Sequence, residues 1–383
     1  MLRIIHTSDI HLGAKFTSFG ASARTQRQAL QNSFVAIVDQ AISSKANLFL
    51  VAGDLFDSNF PSQQTVSFVK GQLKRLNDER IYATILPGTH DCLSKESIYK
   101  RENFGLNLPY VYVFDDPATT SVELPDIDAT IFAKANTSNK SSESPVAFLA
   151  QAGVSAKTKY KVAMAHGSVQ IEGKAAPDDM PITFREIAES GMHYVALGHW
   201  HGAQECSFGN TIAWYAGSPE ITYQEGKGGL GQGYVLSVDI IDSAQVKPVK
   251  ISEKTIQEVD IDMQIYENVE NVLHELGKLA DPHCILIATI FGFAESAVFI
   301  DPEQIERALE DKFFSITVKS KAMMKMPEIT ALNYPEELVI GQFVRIMQKK
   351  IEATQVPDER RVLEDALQMG IAELEGKNVL TDE

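Results

Sequence analysis

A continuous apolar run that ends in a glycine and an aspartate occurs at Leu48-Phe49-Leu50-Val51-Ala52-Gly53-Asp54. Five adjacent apolar residues without polar alternation are typical of a strand that is covered on both faces. Apolar side chains recur at helical spacing in residues 24–44 before it and 62–78 after it, and another apolar run follows at 81–86. This alternation of strands and helices predicts parallel β-α-β units and therefore an α/β layered domain. Ligands usually bind beyond the carboxyl ends of such strands.

The composition limits the classes of protein to which this chain can belong. Of its 383 residues, 44% are hydrophobic and 22% are charged, which excludes collagen-like, low-complexity and globally disordered proteins. Its apolar runs are far shorter than the roughly 20 residues of a membrane helix, so we expect no contact with a membrane. The three cysteines are far apart and odd in number, which is typical of a protein without disulfides in a reducing compartment. We therefore expect a cytoplasmic protein.

The net charge bears on possible partners. The chain has 35 Lys and Arg residues against 51 Asp and Glu residues, a formal charge of −16. This excess of acid argues against a general nucleic-acid binder, because such proteins gain affinity by neutralising phosphates. It does not exclude basic patches, since net charge says nothing about how charges are distributed.

Histidine, aspartate and glycine residues follow the apolar runs of the first half of the chain. They form five short motifs: Asp9-Ile10-His11, Gly53-Asp54, Gly88-Thr89-His90-Asp91, His166-Gly167 and Gly198-His199-Trp200-His201-Gly202. Each motif alone is weak evidence, because Asp-x-His and Gly-Asp also occur in ordinary turns. Five of the nine histidines lie in these motifs, however, and histidines scattered over a surface or a core would not follow strand ends in this way.

Metal binding is the chemistry that these residue types favour. Neutral imidazole and carboxylate together suit Mn, Fe, Zn and similar divalent ions. Residues i and i+2 of an extended segment point the same way, so Asp9 and His11 can face one ion. The two oxygens of Asp54 can bridge two ions, and a pair of ions about 3.5–4 Å apart polarises a phosphate and lowers the pKa of a bound water.

The order of these motifs resembles the calcineurin-like metallophosphoesterase superfamily, and in particular its DNA-repair nuclease branch. The opening residues Ile5–Gly13, the second motif Gly53–Ser62 and the later stretch Ala216–Glu220 are similar to the SbcD nuclease subunit family. The resemblance is strong over residues 1–240. It implies an α/β fold, namely a four-layer α/β/β/α metallophosphoesterase sandwich with a small α+β cap domain and a C-terminal helical tail.

The resemblance also implies the roles of single residues. The metal ligands would be Asp9, His11, Asp54, Thr89, His166, His199 and His201. His90 would stand beside the scissile phosphate and serve the leaving oxygen as a general acid, with Asp91 orienting it. Two divalent ions are expected. Manganese is the ion that the resemblance favours, with Mg²⁺, Fe²⁺ and Zn²⁺ as alternatives.

Thr89 departs from the family pattern, which has Asn at this position. A Thr hydroxyl is shorter than an amide and donates more weakly to a metal. Three interpretations stay open: Thr89 coordinates directly or through a water, the second ion is weakened so that activity needs high manganese, or the site is degenerate. Asp57 is a milder difference, because some relatives have His there, and it could act near the metals or the DNA backbone or simply belong to the loop.

The rest of the chain suggests a cap and a tail. We predict a nuclease domain at 1–255, a cap domain that binds DNA at 256–326 and a helical segment that docks an ATPase at 334–378. The family implies that these last helices bind the coiled coil of an SMC-like ATPase of the SbcC type, although the two helices could equally pack on each other. It also implies a homodimer, for which the apolar stripe of 62–78 is a candidate contact, unless that stripe faces the core.

We therefore expect a metal-dependent exo- or endonuclease that hydrolyses phosphodiester bonds in DNA. Its substrate would be the ends of double- or single-stranded DNA, and it would work in the cytoplasm at the nucleoid. Candidate contacts to the DNA are Lys15, Arg24 and Asp57, each of which could equally be a solvated surface residue. Two alternatives remain. One is a phosphodiesterase or phosphatase for small molecules, and the other is a weakly active scaffold protein, which Thr89 favours.

Overall fold

The computed structural model describes residues 1–171, 176–222, 231–263, 265–266, 268–294, 301–324, 334–335 and 337–376. The chain divides into two compact units, Met1–Lys254 and Thr255–Glu383. Of the predicted cap, residues 325–326 lie outside the described residues, as do 377–378 of the predicted helical segment.

The first unit alternates strands and helices as expected. Its strands are β1 (Leu2–Thr7), β2 (Leu48–Ala52), β3 (Tyr82–Leu86), β4 (Val111–Val113), β5 (Ser121–Leu124), β6 (Ala129–Ala133), β7 (Tyr160–His166), β8 (Tyr194–Gly198), β9 (Gln204–Glu205), β10 (Ile212–Tyr215), β11 (Tyr234–Ile240) and β12 (Ala244–Lys250). Its helices are α1 (Ala23–Ser43), α2 (Gln63–Asp78), α3 (Ile98–Arg101), α4 (Leu149–Ser155) and α5 (Phe184–Glu189), with short 3₁₀ turns at Thr17–Ser22 and Pro125–Ile127.

Two mixed sheets form the centre of this unit. One has the strand order β12-β11-β1-β2-β3-β4 and the other β5-β6-β7-β8-β10-β9. Strands β1 to β4 run parallel, as do β6, β7, β8 and β10, whereas β11 pairs antiparallel with β1. All five residues of β2 are buried, which fits its continuous apolar sequence.

The sheets stack face to face with helices outside, so the α/β/β/α order of layers is confirmed for this unit. β2 contacts β7 and β8 across the interface. Thr84 of β3 contacts the sulfur of Met164 in β7 at 3.4 Å, and His6 of β1 contacts the hydroxyl of Tyr194 in β8 at 2.8 Å. Such stacking aligns the carboxyl ends of parallel strands from both sheets along one edge of the sandwich.

Helix α2 shows where the apolar stripe of 62–78 goes. Ser62 caps the helix by accepting a hydrogen bond from the backbone nitrogen of Thr65, as an N-cap serine does. The stripe residues Val66, Val69, Leu73 and Leu76 are at most 2% exposed within the single chain. Because its own core buries it, this stripe is not free to form a dimer contact, which corrects one sequence prediction.

The second unit begins with a small layered structure. Its elements are β13 (Thr255–Asp262), α6 (Val269–Gly277), β14 (Asp281–Phe291), β15 (Phe293–Ala294), α7 (Pro302–Leu309), β16 (Phe313–Ser320) and β17 (Met323–Met324), with a 3₁₀ turn at Glu310–Lys312. β13, β14 and β16 form a parallel sheet. Helices α6 and α7 cover it, with Leu276 and Ile305 fully buried in its core. Asp301 caps α7 by accepting a hydrogen bond from the backbone nitrogen of Glu303, and Pro302 takes the first helical position.

Two helices follow, α8 (Val339–Ala353) and α9 (Pro357–Leu374). They pack on each other through Val344, Met347, Ile351, Leu367 and Ile371. Within the described part of the chain, no helix combines the length and the apolar character that crossing a membrane requires.

Candidate metal centre

The motif residues converge at one edge of the sandwich. Strands β1, β2 and β3 of one sheet lead into Asp9, Asp54 and Thr89, while β7 and β8 of the other sheet lead into His166 and His199. Backbone hydrogen bonds join these loops: the nitrogen of Asp9 donates to the carbonyl of Gly53 at 3.1 Å, and that of His11 to Asp54 at 3.0 Å. Residues more than 150 positions apart in sequence therefore share one site.

The loops adopt conformations that non-glycine residues rarely take. Asp9, His11 and Asp54 have φ values of 51°, 55° and 51°, and His199 has 110°. Each such residue costs about 1–3 kcal/mol, a strain that clusters at functional sites. Gly53, with φ 92°, allows two segments to come close together, because a Cβ there would overlap Nδ1 of His166.

One group of donor atoms comprises Asp9, His11 and His201. Their ligand atoms all lie within 4.8 Å of one another, and Nε2 of His11 is 3.3 Å from Nε2 of His201. Nδ1 of His201 contacts the hydroxyl of Thr222 at 3.1 Å. The arrangement fits a shared cation, because two ring nitrogens face each other beside a carboxylate.

A second group comprises Asp9, Asp54 and His166, again within 4.8 Å. Nε2 of His166 lies 3.2 Å from Oδ2 of Asp54, and its Nδ1 lies 2.9 Å from the carbonyl of Ala52. Because a carbonyl only accepts, Nδ1 carries the hydrogen and Nε2 is left to face Asp54. Thr89 Oγ1 lies 3.2 Å from Oδ2 of Asp54 and 3.4 Å from Nε2 of His166, so it stands where the family pattern has Asn.

Asp54 belongs to the second group and also faces His11 of the first. Its Oδ2 is 3.9 Å from Nε2 of His11 as well as 3.2 Å from that of His166, while Oδ1 accepts a hydrogen bond of 2.8 Å from the backbone nitrogen of His90. This position suits a carboxylate shared by two cations.

The electrostatics of the buried groups match that donor set. Burial raises the pKa of Asp54, but the facing histidines, His166 foremost, outweigh it and hold the pKa well below its usual range. Burial lowers the pKa of His166, yet Asp54 and Asp9 raise it to about 10. Burial lowers the pKa of His201 to about 4 and keeps its ring neutral. Buried carboxylates beside imidazoles that are neutral, like His201, or that release a proton when the metal binds, like His166, fit a divalent metal ion.

His199 is placed differently from the other predicted ligands. Its ring lies beside that of His166, with centroids 5.2 Å apart. Within the described residues, the close donor groups do not include it. Its Nε2 instead lies 2.9 Å from Oδ1 of Asp179, a residue that none of the sequence motifs indicated. Asp179 follows another aspartate and Pro177, a context that is ordinary for a turn and gave no signal of function.

His90 stands at the exposed rim of the site. Its ring meets that of His11 edge to face at 4.6 Å, and its Nδ1 lies 3.1 Å from the carbonyl of Asp57. Nδ1 therefore carries a hydrogen, and Nε2 is left for a substrate oxygen.

Asp91 does not contact His90 in the way that we predicted. Its carboxylate accepts hydrogen bonds from the backbone nitrogens of Gly88 and Phe56 and from the hydroxyl of Tyr99, at 2.7, 3.1 and 2.6 Å. Burial and the nearby Asp54 raise its pKa to about 6. The correction has a geometric cause: the chain turns at 88–91 so that Asp91 points into the core while His90 points out.

The site opens into a cavity of about 430 Å³ lined by His11, His90 and His201 and by two of the predicted substrate residues, Lys15 and Asp57. A second cavity of about 550 Å³ shares Ala14 and Asp57 with the first. Arg24, Arg27 and Phe60 line this second cavity, so the third predicted substrate residue, Arg24, lies there.

Comparison with known proteins places this site in a family. A family model for calcineurin-like phosphoesterases matches residues 2–203. The chain is 25% identical over 314 residues to the uncharacterized metallophosphoesterase YhaO of Bacillus subtilis, covering 74% of this chain and 70% of that protein. It is 27% identical over 299 residues to the DNA double-strand break repair protein Mre11 of Sulfurisphaera tokodaii, covering 73% and 69%.

A further relative is the SbcD component of the nuclease SbcCD from Staphylococcus epidermidis, which is 24% identical over 290 residues, covering 70% of this chain and 74% of that one. The family match spans both sheets' ligand-bearing loops, from Asp9 to His201. The chain therefore belongs to the calcineurin-like phosphoesterase family and is a hydrolase of phosphoester bonds.

Proposed function

We propose that this chain is a DNA nuclease that hydrolyses phosphodiester bonds with two divalent ions, Mn²⁺ being the favoured metal. The observation that carries the proposal is a pair of donor groups that share Asp9, one with His11 and His201 and the other with Asp54 and His166. His11 and His201 of the first group line a cavity that has His90 at its rim. Relatedness to Mre11 and to the SbcD component of the SbcCD nuclease supports DNA as the substrate.

The chain offers each ion its own set of ligands. Asp9, His11, Asp54 and His201 would hold the first ion, and Asp54, Thr89, His166 and His199 the second. When bound, such ions polarise the phosphate and lower the pKa of the attacking water. The protein's part is to present neutral imidazoles and ionised carboxylates at fixed positions, and the hydrogen bond from His166 to the Ala52 carbonyl serves this purpose.

His90 would deliver a proton to the leaving oxygen. Its Nδ1 hydrogen is held by the carbonyl of Asp57, so Nε2 faces the cavity, and the doubly protonated ring would give up the Nε2 hydrogen to the leaving oxygen and become neutral. Asp91 would act on the turn beneath, because it binds the backbone nitrogens of Gly88 and Phe56 on either side of the site.

The second cavity supports a polymeric substrate. Arg24 and Arg27 are exposed there, and Nη1 of Arg27 also holds the carbonyl of Lys15 at 2.7 Å. Cations in a cavity that adjoins the metal site suit the phosphates on either side of the one being cleaved. A local group of this kind would allow DNA binding in spite of the net charge of −16.

The helix pair α8 and α9 would dock on an SMC-like ATPase of the SbcC type. The two helices bury one face of each against the other. Three apolar side chains outside that contact are exposed, namely Val339 at 72%, Ile346 at 56% and Val362 at 66%. Exposed apolar residues on a helix fit a helix-in-groove contact with a coiled coil. We further propose that the nuclease is a homodimer, joined by a surface other than the buried stripe of α2, and that it works in the cytoplasm at the nucleoid.

A cleavage assay with Mn²⁺ on linear double-stranded and single-stranded DNA tests the proposal. His90→Ala should lose about 10²–10⁴-fold in rate, the usual worth of a general acid, while Mn²⁺ binding persists. His274→Ala, at an exposed position of α6, is the matched control and should keep full activity.

Other outcomes would favour the alternatives. Hydrolysis of bis-p-nitrophenyl phosphate without cleavage of DNA would replace the nuclease by a small-molecule phosphodiesterase. If neither substrate is hydrolysed with Mn²⁺, Mg²⁺, Fe²⁺ or Zn²⁺, the chain would be a scaffold protein and not an active nuclease.

A further inference from the structure

The contact between His199 and Asp179 has no counterpart in the motifs from which the site was predicted. His199 is held by its backbone nitrogen, which lies 3.0 Å from both carboxylate oxygens of Asp9. Its ring could still present either nitrogen to the second ion. Which nitrogen is available depends on which one carries the hydrogen, and the partner of the other nitrogen decides this.

The direction of the hydrogen bonds around Asp179 is set by a tryptophan. Nε1 of Trp200 lies 3.0 Å from Oγ of Ser168, and an indole nitrogen can only donate. The Ser168 hydroxyl accepts that bond and gives its own hydrogen to Oδ2 of Asp179, 2.5 Å away. Oδ1 of Asp179 in turn accepts from Nε2 of His199 at 2.9 Å. The chain of bonds therefore requires the hydrogen of a neutral His199 to be on Nε2.

Asp179 is held in place by its backbone as well. The nitrogen of Ser168 donates to the carbonyls of Asp179 and Met180 at 3.1 and 3.2 Å, and that of Ile182 donates to the carbonyl of Ser168 at 2.9 Å. Ser168 is fully buried and Trp200 is 3% exposed, with its ring stacked on that of Tyr215. The side chain of Asp179 is itself 23% exposed, but its bond to the buried Ser168 holds its carboxylate beside Nε2 of His199.

We propose that Asp179 is a positioning residue that keeps the hydrogen of His199 on Nε2 and so makes Nδ1 the atom that binds the second ion. The proposal rests on the two-ion site proposed above. A carboxylate on the outer nitrogen of a metal-binding histidine fixes the ring and raises its basicity.

The variant Asp179→Asn makes the sharpest test because it keeps the shape of the side chain. The Ser168 hydrogen goes to Oδ2 and the His199 hydrogen to Oδ1, and an amide has an accepting oxygen at only one of these two positions. If the oxygen stays on Ser168, the NH₂ group faces Nε2 of His199, and the hydrogen must move to Nδ1. Asp178→Asn is the matched control, since the side chain of Asp178 is 51% exposed and pairs with Lys140.

Two measurements read out the proposal without relying on catalysis. The first is long-range ¹H–¹⁵N NMR of the metal-free, full-length protein with labelled histidine, with His199 assigned by its loss in His199→Gln. At alkaline pH we expect the Nε2–H form in the wild type and in Asp178→Asn, and a shift towards Nδ1–H in Asp179→Asn. An Nδ1–H form in the wild type, or an unchanged form in Asp179→Asn, would overturn the proposal.

The second measurement is calorimetric titration with Mn²⁺ alone. Asp179→Asn should lower the affinity for the second ion by about 10- to 100-fold, as expected when an orienting partner is lost. The affinity for the first ion should be unchanged. Equal affinities in Asp179→Asn and the wild type would contradict the proposal. If the wild type binds two ions but does not cleave DNA, the proposed nuclease activity is wrong, while the proposed role of Asp179 still stands. If the wild type binds a single ion, the two-ion site itself is wrong.

Discussion

The hydroxyl of Thr89 lies 3.2 Å from Oδ2 of Asp54, on the same oxygen that faces His166. A carboxylate in this position can accept the Thr89 hydrogen or bind a cation. The Thr side chain is shorter than that of Asn, so its hydroxyl oxygen extends less far towards the second ion than an amide oxygen would. The residue that departs from the family pattern is thus in contact with the candidate bridging ligand, and the affinity of the second ion should depend on it.

Thr89→Asn should strengthen binding of the second ion by about tenfold, the lower end of what ligand-shell changes produce. The amide oxygen reaches further and is a better donor to a metal than a hydroxyl. Titration with Mn²⁺ and the Mn²⁺ dependence of cleavage measure the change. Thr89→Val keeps the shape without the oxygen and should weaken the same ion. If Thr89→Val binds like the wild type, Thr89 is not a ligand.

Thr222→Val should weaken the first ion by about 10- to 100-fold. The backbone nitrogen and the hydroxyl of Thr222 both donate to Oε1 of Gln232, at 2.7 and 3.0 Å, so the hydroxyl is left to accept from Nδ1 of His201. This leaves Nε2 of His201 bare for the metal. Thr222→Ser retains the hydroxyl and should restore binding. Equal Mn²⁺ affinity in the Val and Ser variants would show that the contact is incidental.

Binding of Mn²⁺ should tighten as the pH rises, by about tenfold per pH unit for one released proton. Asp54 and Asp9 raise the pKa of His166 from 6.5 to about 10, so the metal-free ring is protonated at neutral pH and must lose that proton to bind. Calorimetry in buffers of different ionisation enthalpy counts the protons. A pH-independent affinity between pH 7 and 9 would contradict a protonated His166.

The raised pKa of His166 predicts that the stability of the metal-free protein falls as the pH rises, whereas the affinity for Mn²⁺ increases. A pKa raised on folding stabilises the folded state fully below pH 6.5, and this contribution is lost as the pH rises towards about 10. The midpoint of thermal unfolding without metal should therefore fall over this range, and His166→Gln should flatten the fall. Added Mn²⁺ should reverse the trend, because it binds the neutral ring in the folded state.

His6 should make the protein sensitive to acid. It is fully buried between the sheets, and burial lowers its pKa from 6.5 to about 3. A lowered histidine pKa means that stability is lost as the pH falls from 6.5 towards 3, because the unfolded chain takes up the proton first. Urea unfolding across this range should show a shallower pH dependence in His6→Gln. An identical slope would assign the acid sensitivity to other groups, such as His201.

Ile346→Lys and Val362→Lys together should abolish co-purification with an SMC-like ATPase while leaving the unfolding midpoint unchanged. Both residues are exposed on the helix pair, so the substitution adds charge without opening the core formed by Met347 and Leu367. Gln342→Lys, at another exposed position of α8, is the control for added charge. Retained binding in the double variant would remove this face from the proposed docking surface.

Local sequence patterns were sufficient for much of this architecture. The strand Leu48–Ala52 has the bounds that its apolar run predicts, and two helices lie in the segment 334–378 that was predicted to be helical. The placement of Asp9, Asp54 and His166 at strand ends also followed from the sequence, because each lies where an apolar run gives way to polar or glycine residues.

Contacts between distant segments were not predictable in this way. β11 pairs with β1 across more than 200 residues, and neither strand's pattern names its partner. The apolar stripe of α2 looks the same whether it faces a core or a second copy, and only packing showed that its own core buries it.

The sequence alone therefore indicated the candidate ligands and the strand ends at which they lie, because periodicity and turn residues act over a few positions. The tertiary structure alone decided which partners the site residues contact: Asp179 for His199, Thr222 for His201 and the core hydroxyl of Tyr99 for Asp91. The physical reason is that a hydrogen-bond partner is selected by the approach of folded segments, and a short polar residue in a loop carries no local mark of the segment that it will meet.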